Sequence, residues 1–256
     1  MAACFIPQNT TSSIMNAQKL LLVTSHPDDE VMYYSPLLLA LRRRQVSCVH
    51  ILCLSNGDFE GLGHIRANEL YHACEVMQIP ADHVTVVNHP ALRDGPNVHW
   101  SPVLIADIII AHINTLQPDT VITFDEHGVS GHTNHVHTHQ GCLLAVSQLQ
   151  LERNTASDKR IKQQQVRGYV LQSPPWYRKY IGPCDLLASL WGSEQDVAVS
   201  ANLFVLYRAM TAHRSQCQWY RVLFLLFSRL SFINSFAEMF KPSGERGGEG
   251  ATASAV

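Results

Sequence analysis

The chain has 256 residues, of which 46% are hydrophobic and 16% charged, and its formal net charge is −2. This composition supports a large hydrophobic core and excludes a globally disordered chain, and the absence of a basic excess excludes nucleic acid as an expected partner. The seven cysteines are an odd number without C-x-x-C spacing, which favours buried thiols in a reducing compartment over a disulfide framework.

The first half of the chain alternates short apolar runs with helical patterns. Residues 1–18 are mostly polar and predict a flexible amino-terminal segment. Strands are predicted at 19–25, 46–54, 83–87 and 119–124, and helices between them at about 29–44, 64–77 and 101–116. This β-α-β order predicts an α/β fold with a Rossmann-like, doubly wound, mostly parallel sheet and helices on both of its faces.

The second half continues the same domain. A helix at about 135–151 precedes a polar loop at 152–165. Further strands are predicted at 166–171, 186–191 and 197–199, and two closing helices at 201–213 and 215–236. We therefore expect one domain over residues 19–240 and a disordered Gly- and Glu-rich tail over 241–256. No segment reaches the roughly 18–20 apolar residues that a membrane-spanning helix needs.

Polar clusters follow two of the predicted strands, at the sheet edge where ligands bind in parallel α/β folds. Residues 26–30 read His-Pro-Asp-Asp-Glu and come directly after the first long strand. One interpretation is that Asp28 or Asp29 caps the next helix. The other is that His26 and a carboxylate three residues later bind one ion, with the intervening proline fixing the turn.

The second cluster covers residues 125–135 and precedes a helix. His132 and His135 are three residues apart, so at the start of a helix both point the same way. Two histidines and one carboxylate around zinc leave an open position for water, which suits amide hydrolysis. A neighbouring carboxylate can then accept a proton, and a further histidine can stabilise an oxyanion or protonate the departing amine.

These motifs resemble those of a known enzyme family. Residues 26–30 (His-Pro-Asp-Asp-Glu) with 131–135 (Gly-His-Thr-Asn-His) resemble the LmbE-like zinc deacetylases. The sequences Gly-Val-Ser-Gly at 128–131 and His-Arg-Ser-Gln at 213–216 narrow the resemblance to the eukaryotic N-acetylglucosaminyl-phosphatidylinositol de-N-acetylases, the PIG-L family. The resemblance extends over residues 19–236.

The resemblance implies a role for each candidate site residue. His26, Asp29 and His135 correspond to the ligands of Zn²⁺ or another divalent cation, and Asp28 to the general base. His132 corresponds to the oxyanion or leaving-group partner. Two further residues are expected near the substrate: Arg66 on its binding face, and Asp125 orienting a site histidine.

The resemblance also implies hydrolysis of the acetamide of N-acetylglucosaminyl-phosphatidylinositol, the second step of GPI-anchor synthesis, at the cytosolic face of the endoplasmic reticulum membrane. The expected partners are this glycophospholipid and the membrane surface, with no obligate protein partner. A helix over residues 214–240, with Arg214, Arg221 and Arg229 on one face, would contact the membrane. The same pattern also fits a core helix with salt-bridged arginines.

Two other functions fit the same motifs. A soluble LmbE-like deacetylase could act on another N-acetylglucosamine conjugate with identical chemistry. A non-catalytic homologue could act as a scaffold, although that reading predicts loss of Asp28 or of a ligand, and none is lost. A metallophosphoesterase fits less well, because two-metal sites usually need more carboxylates.

Overall fold

The computed structural model describes residues 4–6, 14–43, 48–155, 166–191 and 196–240. The strands in these ranges are β1 (Cys4–Ile6), β2 (Lys19–Thr24), β3 (Cys48–Cys53), β4 (Val84–Val86), β5 (Thr120–Phe124), β6 (Arg167–Leu171), β7 (Asp196–Val199) and β8 (Ile233–Glu238). They form one sheet in the order β1-β7-β8-β6-β5-β2-β3-β4.

The helices cover both faces of this sheet. They are α1 (Asp29–Met32), α2 (Ser35–Arg43), α3 (Gly63–Val76), α4 (Pro102–Leu116), α5 (Gly128–Gly131), α6 (Thr133–Thr155), α7 (Trp176–Lys179), α8 (Leu186–Trp191), α9 (Leu203–Ala212) and α10 (Trp219–Phe227). The helix predicted at 29–44 is divided into α1 and α2, and Pro36 lies in the first turn of α2, where a missing N–H costs no hydrogen bond.

The sheet confirms the predicted fold class. Strands β6, β5, β2, β3 and β4 run parallel. On β2, Leu20 and Leu22 pack into the core beside α2, α3 and α9, whereas Leu21 and Val23 pack on the other face beside α4 and α6. This alternation with a period of two residues buries the strand on both sides, as a doubly wound sheet requires.

The carboxyl-terminal prediction was wrong in its second half. The helix expected over 215–236 ends at Phe227, and Ser228 has extended backbone angles (φ −71°, ψ 134°). A 3₁₀ turn at Arg229–Ser231 then leads into β8, which pairs antiparallel with both β6 and β7. The chain therefore returns to fill a sheet position, and that long-range pairing overrides the local helical pattern.

The strand predicted over 186–191 was also wrong, because Leu186–Trp191 forms helix α8. A short apolar run does not distinguish a strand from a helix by its periodicity.

Two parts of the amino-terminal segment, residues 4–6 and 14–18, belong to the described structure, and the flexibility expected over 1–18 stays a prediction. Strand β1 pairs antiparallel with β7, and Ile14 is buried while its N–H donates to Asp196 Oδ2 at 2.6 Å. Pairing with β1 covers the edge of β7 that would otherwise expose unpaired backbone groups. The predicted tail, residues 241–256, lies outside the described residues, as do residues 1–3 and 7–13.

None of the described helices is both long enough and apolar enough to cross a membrane.

Candidate metal centre

The two predicted polar clusters meet at one edge of the sheet. Strands β2 and β5 are parallel neighbours, with Leu20 opposite Thr120 and Leu22 opposite Ile122. The segments that follow these strands therefore emerge side by side, as expected for ligand sites in such sheets. The first segment contributes the residues from His26 to Asp29, and the second contributes His132 and His135.

Three side chains converge with the spacing of ligands around one ion. His135 Nε2 lies 3.3 Å from His26 Nδ1 and 3.3 Å from Asp29 Oδ1. His26 Nδ1 lies 3.9 Å from Asp29 Oδ2. Donors at about 2.0–2.2 Å from a tetrahedral zinc ion are about 3.3–3.6 Å apart. The triangle therefore needs only a small adjustment to bind such an ion.

Asp29 is held in place by the turn that precedes it. Its Oδ2 accepts hydrogen bonds from the backbone N–H groups of Ser25 at 2.9 Å and His26 at 2.8 Å, which leaves Oδ1 directed at His135. Burial alone would raise the pKa of this carboxyl, but His135 and His26 lower it to well below its usual range. Asp29 is therefore a carboxylate at neutral pH, the form that binds metals.

Hydrogen bonds on the outer side of His26 set its tautomer. Nε2 lies 3.1 Å from Asp94 Oδ1 and 3.1 Å from Asn134 Oδ1, and both oxygens are acceptors. The asparagine orientation is fixed because its amide nitrogen donates to Val98 O at 2.9 Å. The proton of the neutral imidazole therefore sits on Nε2, and the lone pair of Nδ1 faces the cluster.

In His135 the two ring nitrogens have the reverse roles to those in His26. Its Nδ1 donates to Gly128 O at 3.0 Å, so the lone pair of Nε2 points inward. Gly128 has φ +57°, and a Cβ there would lie 2.8 Å from His135 Cβ, so this approach requires glycine. Two imidazole lone pairs thus face each other at 3.3 Å beside a carboxylate. Such an arrangement is satisfied by a shared cation, and the donor set fits a divalent metal.

Asp28 lies beside this cluster in a strained backbone conformation. Its φ is 114° and ψ is −18°, a region that non-glycine residues rarely adopt. The side chain lines the cavity in front of the cluster and forms an ion pair with Arg221 of α10. Adjacent aspartates consequently face different surroundings: Asp29 faces the cluster and Asp28 faces the cavity.

His132 completes the group predicted from the sequence. Its ring centroid lies 4.9 Å from that of His26 and 5.1 Å from that of His135. Its Nδ1 accepts a hydrogen bond from Asn134 N at 3.2 Å, so the proton of the neutral ring is on Nε2. Burial, reinforced by the two neighbouring histidines, lowers the pKa of His132 to about 4. His26, His132 and His135 also lie close enough together to hold an ion without Asp29.

The His-Arg-Ser-Gln sequence at 213–216 forms a hydrogen bond to Glu30, the residue that follows Asp28 and Asp29. His213 is fully buried, and its Nε2 donates to Glu30 Oε1 at 2.6 Å, while Gln216 donates to its Nδ1 at 3.2 Å. The other oxygen of Glu30 accepts from Asp28 N at 3.0 Å. Through Glu30, His213 therefore fixes the backbone at Asp28.

Asp94 is a site residue that the sequence analysis missed. Its Oδ2 accepts from Arg66 Nη1 at 3.0 Å, and its Oδ1 faces His26. It lies in a loop without periodic pattern, so no local signal marks it. Burial would raise the pKa of Asp94, but the hydrogen bond and charge of His26, with Arg66, lower it. Asp94 takes the position of the carboxylate that orients a site histidine.

Arg66 lines the cavity, as expected of a residue near the substrate, but its guanidinium is largely engaged. It donates to Gly57 O at 2.7 Å and Pro27 O at 3.2 Å, in addition to Asp94. Among the described residues its buried Nε has no hydrogen-bond partner. These contacts join the loops after β2 and β3 to the loop that carries Asp94.

Asp125 lies away from the cavity, and its side-chain hydrogen bonds do not reach a site histidine. Its carboxylate accepts from Ser173 N at 2.6 Å and Ser173 Oγ at 2.6 Å, and from His127 N at 3.2 Å. It lines a neighbouring cavity instead. Asp125 therefore joins the loop after β5 to the loop after β6. The position beside a site histidine, which was expected for Asp125, is occupied by Asp94.

The cluster opens into a cavity of about 770 Å³ with a mixed lining. The metal cluster shares this lining with the cations Arg66, Lys179 and Arg221. The lining also includes aromatic side chains: Tyr33, Phe59, Tyr180, Tyr220, Phe224 and Phe227. A molecule with a polar head and an apolar continuation would match this lining.

Two of the three arginines expected to face a membrane have protein partners. Arg221 pairs with Asp28, and Arg229 is only 4% exposed. Arg229 Nη2 donates to Ser189 Oγ at 2.8 Å and Ser235 Oγ at 2.6 Å, and its Nε pairs with Asp185. The continuous helix expected over 214–240 was wrong, because α10 ends at Phe227, and the alternative, salt-bridged arginines in the core, describes Arg229. Contact of this region with a membrane stays a prediction.

The fold is shared with solved deacetylases. A structure of N,N'-diacetylchitobiose deacetylase from Pyrococcus horikoshii matches with a TM-score of 0.62 at 16% identity, covering 90% of this chain and 87% of that one. At this identity the match establishes the fold alone.

The sequence comparisons identify the family, which the structural comparison does not. The family described as PIG-L: GlcNAc-PI de-N-acetylase matches residues 21–146. The N-acetylglucosaminyl-phosphatidylinositol de-N-acetylase of Bos taurus is 38% identical over 224 residues, covering 85% of this chain and 82% of that protein. A probable de-N-acetylase of the same name from Schizosaccharomyces pombe is 34% identical, covering 80% of each chain. The chain belongs to the N-acetylglucosaminyl-phosphatidylinositol de-N-acetylase family, and it is an enzyme of the deacetylase class.

Proposed function

We propose that the protein hydrolyses the acetamide of N-acetylglucosaminyl-phosphatidylinositol, releasing acetate and glucosaminyl-phosphatidylinositol, with zinc as its metal. The observation that carries this proposal is the inward-facing triangle of His26 Nδ1, His135 Nε2 and Asp29 Oδ1, with separations of 3.3 Å from His135 to each of the other two. Family membership supports the substrate and its place in GPI-anchor synthesis.

In this proposal His26, Asp29 and His135 hold the ion. When bound, zinc supplies a Lewis acid that activates water and polarises the acetamide carbonyl. Asp28, directed into the cavity beside the ligands, accepts the proton of the attacking water. Its strained backbone is fixed by Glu30 and keeps the carboxylate at the front of the cluster.

We give His132 the role of a hydrogen-bond donor, which complements that of Asp28 as a proton acceptor. Because its Nδ1 accepts from Asn134 N, its Nε2–H is available as a donor toward the cavity. A neutral imidazole donor suits the oxyanion that forms when water attacks the carbonyl. The departing amine takes the proton that Asp28 accepted from the water, because a neutral imidazole that gave up its Nε2–H would become an imidazolate. We assign His132 to the oxyanion and not to the metal, because Asp29 already provides a third ligand of the usual His₂-carboxylate type.

The walls of the cavity favour a glycophospholipid. The sugar acetamide would lie at the metal cluster, and the phosphate would lie within reach of Arg221, Lys179 or the free edge of Arg66. The aromatic side chains that line the cavity would contact the apolar part of the lipid. Binding the phosphate at Arg221 would also release Asp28 from its ion pair.

We further propose that the cavity opens toward a membrane surface, which we place at the cytosolic face of the endoplasmic reticulum. Tyr180 and Tyr220 line the cavity, and further exposed aromatic residues lie close to them in the sequence. We call this group the aromatic rim: Trp176, Tyr177, Tyr180, Trp219 and Tyr220. Trp176 is 83% exposed and Trp219 is 75% exposed. Trp and Tyr favour the interface between lipid and water, and the lipid anchor of the substrate lies in the same plane.

Acetate release from the full-length protein tests the function. Chelation of metal should abolish acetate release from N-acetylglucosaminyl-phosphatidylinositol in detergent micelles, and zinc should restore it. A soluble deacetylase acting on another conjugate would instead turn over a lipid-free N-acetylglucosamine conjugate faster than the glycolipid. Failure of the zinc-loaded protein to release acetate from the glycolipid would refute the proposal.

A further inference from the structure

A second group of metal-binding side chains lies at the opposite edge of the sheet. Cys48 begins strand β3, and His50 follows two residues later, so both side chains point to the same face. His83 ends the 3₁₀ turn Ala81–His83 that leads into β4, the parallel neighbour of β3. Because the metal centre lies beyond the carboxyl ends of the strands, the length of β3 separates the two groups by roughly 16 Å at about 3.3 Å per residue.

The three ligand atoms have the spacing of a single-ion site. Cys48 Sγ lies 3.0 Å from His50 Nε2 and 3.7 Å from His83 Nε2. The two imidazole rings stack with centroids 4.3 Å apart, and all three ligand atoms lie within 4.8 Å of one another. Around tetrahedral zinc, a sulfur ligand at about 2.3 Å and a nitrogen at about 2.0–2.1 Å are about 3.5–3.6 Å apart. The two observed sulfur–nitrogen distances lie on either side of this value.

The surroundings leave a nitrogen of His83 available to an ion. His83 Nδ1 lies 3.2 Å from Val49 O, so the proton of the neutral ring is directed at this carbonyl and the lone pair is on Nε2. Cys48 Sγ lies 3.8 Å from Nδ1 and 3.7 Å from Nε2, so a rotation of the His83 ring is needed to direct Nε2 at the ion. The cysteine completes a set of one sulfur and two nitrogen donors, which suits zinc.

We propose that Cys48, His50 and His83 form a second metal site, binding zinc or another thiophilic divalent cation. The ion joins the start of β3 to the turn before β4, at the end of the sheet where β4 is the outermost strand. Its role is structural, because no residue of the catalytic cavity takes part. The proposal does not depend on the deacetylase activity.

Cobalt(II) distinguishes this site from the catalytic one. The catalytic cluster offers nitrogen and oxygen donors, whereas the second site adds a thiolate, which gives cobalt a near-ultraviolet ligand-to-metal absorption. Titration of cobalt into the metal-free full-length protein should produce this absorption and saturate it at one cobalt per chain. Cys48→Ser should abolish it, and His83→Gln should weaken cobalt binding at this site by more than about tenfold.

Cys184→Ser is the matched control, because Cys184 is an exposed cysteine outside the cluster. It should retain the absorption, and Cys48→Ser should retain acetate release. The proposal is overturned if the wild-type protein shows no thiolate absorption with excess cobalt, or if the absorption persists in Cys48→Ser. If Cys48→Ser does not fold, the wild-type titration and His83→Gln still decide the result.

Discussion

At the residue scale, the adjacent carboxylates Asp28 and Asp29 have separate tasks because their backbone positions differ. Asp29 is the first residue of α1 and accepts two backbone N–H groups from the preceding turn. Asp28 precedes it with φ 114°, which turns its side chain toward the cavity. A ligand and a base can therefore come from neighbouring residues.

Asp28→Asn tests the assignment of the base. The amide keeps the shape of the side chain but accepts no proton at neutral pH, so we expect kcat to fall by about 10²–10⁴. Zinc content, measured by atomic absorption on the same preparation, should not change. Near-normal turnover in a zinc-loaded variant would reduce Asp28 to a structural residue of the turn.

His132→Ala and His135→Ala form a matched pair. We expect the first to lose about 10²–10³ in kcat, the usual cost of removing an oxyanion donor, with zinc retained. The second removes a ligand and should lose zinc at micromolar concentrations. Zinc content and turnover of both variants check this, and zinc loss in His132→Ala would show that the two histidines have exchanged roles.

The sequence could predict the residues that directly follow adjacent strands, and it could not predict those brought in by long loops. His26 and His135 meet because β2 and β5 are parallel neighbours. Asp94 contacts the site from a loop with no local signal, and Arg221 contacts it from a helix whose pattern predicted a membrane or core contact. The positions of both residues depend on tertiary packing. The resemblance does not fix the direction of the Asp125 carboxylate, which contacts Ser173 in the structure.

At the element scale, strand β8 explains why the parallel core continues into an antiparallel extension. The pattern of residues 228–236 predicts a helix, but this segment is required between β6 and β7. Its anchor is the buried ion pair between Arg229 and Asp185, which joins the turn before β8 to the Gly182–Asp185 turn. Strand pairing between distant segments cannot be derived from local periodicity.

Arg229→Ala should therefore destabilise the fold. Asp185 keeps Arg178 and Ser189 as partners, but it loses the charge-assisted hydrogen bond from Arg229, and Ser235 Oγ loses its donor. We expect the free energy of unfolding to fall by about 1–3 kcal/mol. Arg214→Ala, at an exposed position, is the control and should change it by less than about 0.5 kcal/mol. Urea unfolding of both variants provides the measurement, and equal stability would contradict the structural role of the pair.

The same pair predicts a pH dependence. Burial would raise the pKa of Asp185, but hydrogen bonds from Arg178, Ser189 and Arg229 lower it below the ordinary value of 3.8. A lowered carboxyl pKa contributes stability above the ordinary value, and this contribution is lost as the pH falls through the lowered one. The difference in unfolding free energy between wild type and Arg229→Ala should therefore narrow below about pH 4. A difference that stays constant down to pH 2 would contradict this.

At the scale of the whole molecule, the catalytic cavity and the aromatic rim share one side of the protein. Helix α10 links them, because Arg221 reaches Asp28 while Trp219 and Tyr220 belong to the rim. In the proposed function, this short helix therefore links membrane contact to chemistry. The arginine pattern of residues 214–240 predicted a membrane contact in this region. In the proposed function, the exposed aromatic residues of the rim make that contact.

A Trp176→Ser/Trp219→Ser variant tests membrane contact. Loss of two interfacial indoles should lower the vesicle-bound fraction several-fold in co-sedimentation, because Trp contributes strongly at the lipid–water interface. Leu151→Ser is the control, since Leu151 is an apolar residue that is 66% exposed on α6, outside the rim. Equal partitioning of the two variants would exclude the rim as the docking surface.

Anomalous diffraction at the zinc edge tests the central claim, that the metal is held by His26, Asp29 and His135. Crystals of the zinc-loaded protein should show an anomalous peak about 2.0–2.2 Å from His26 Nδ1, an oxygen of Asp29 and His135 Nε2. The carboxylate of Asp28 should lie in the space left open on the ion. A peak coordinated by His26, His132 and His135, with Asp29 outside the coordination sphere, would contradict the account, as would the absence of any peak at this edge of the sheet.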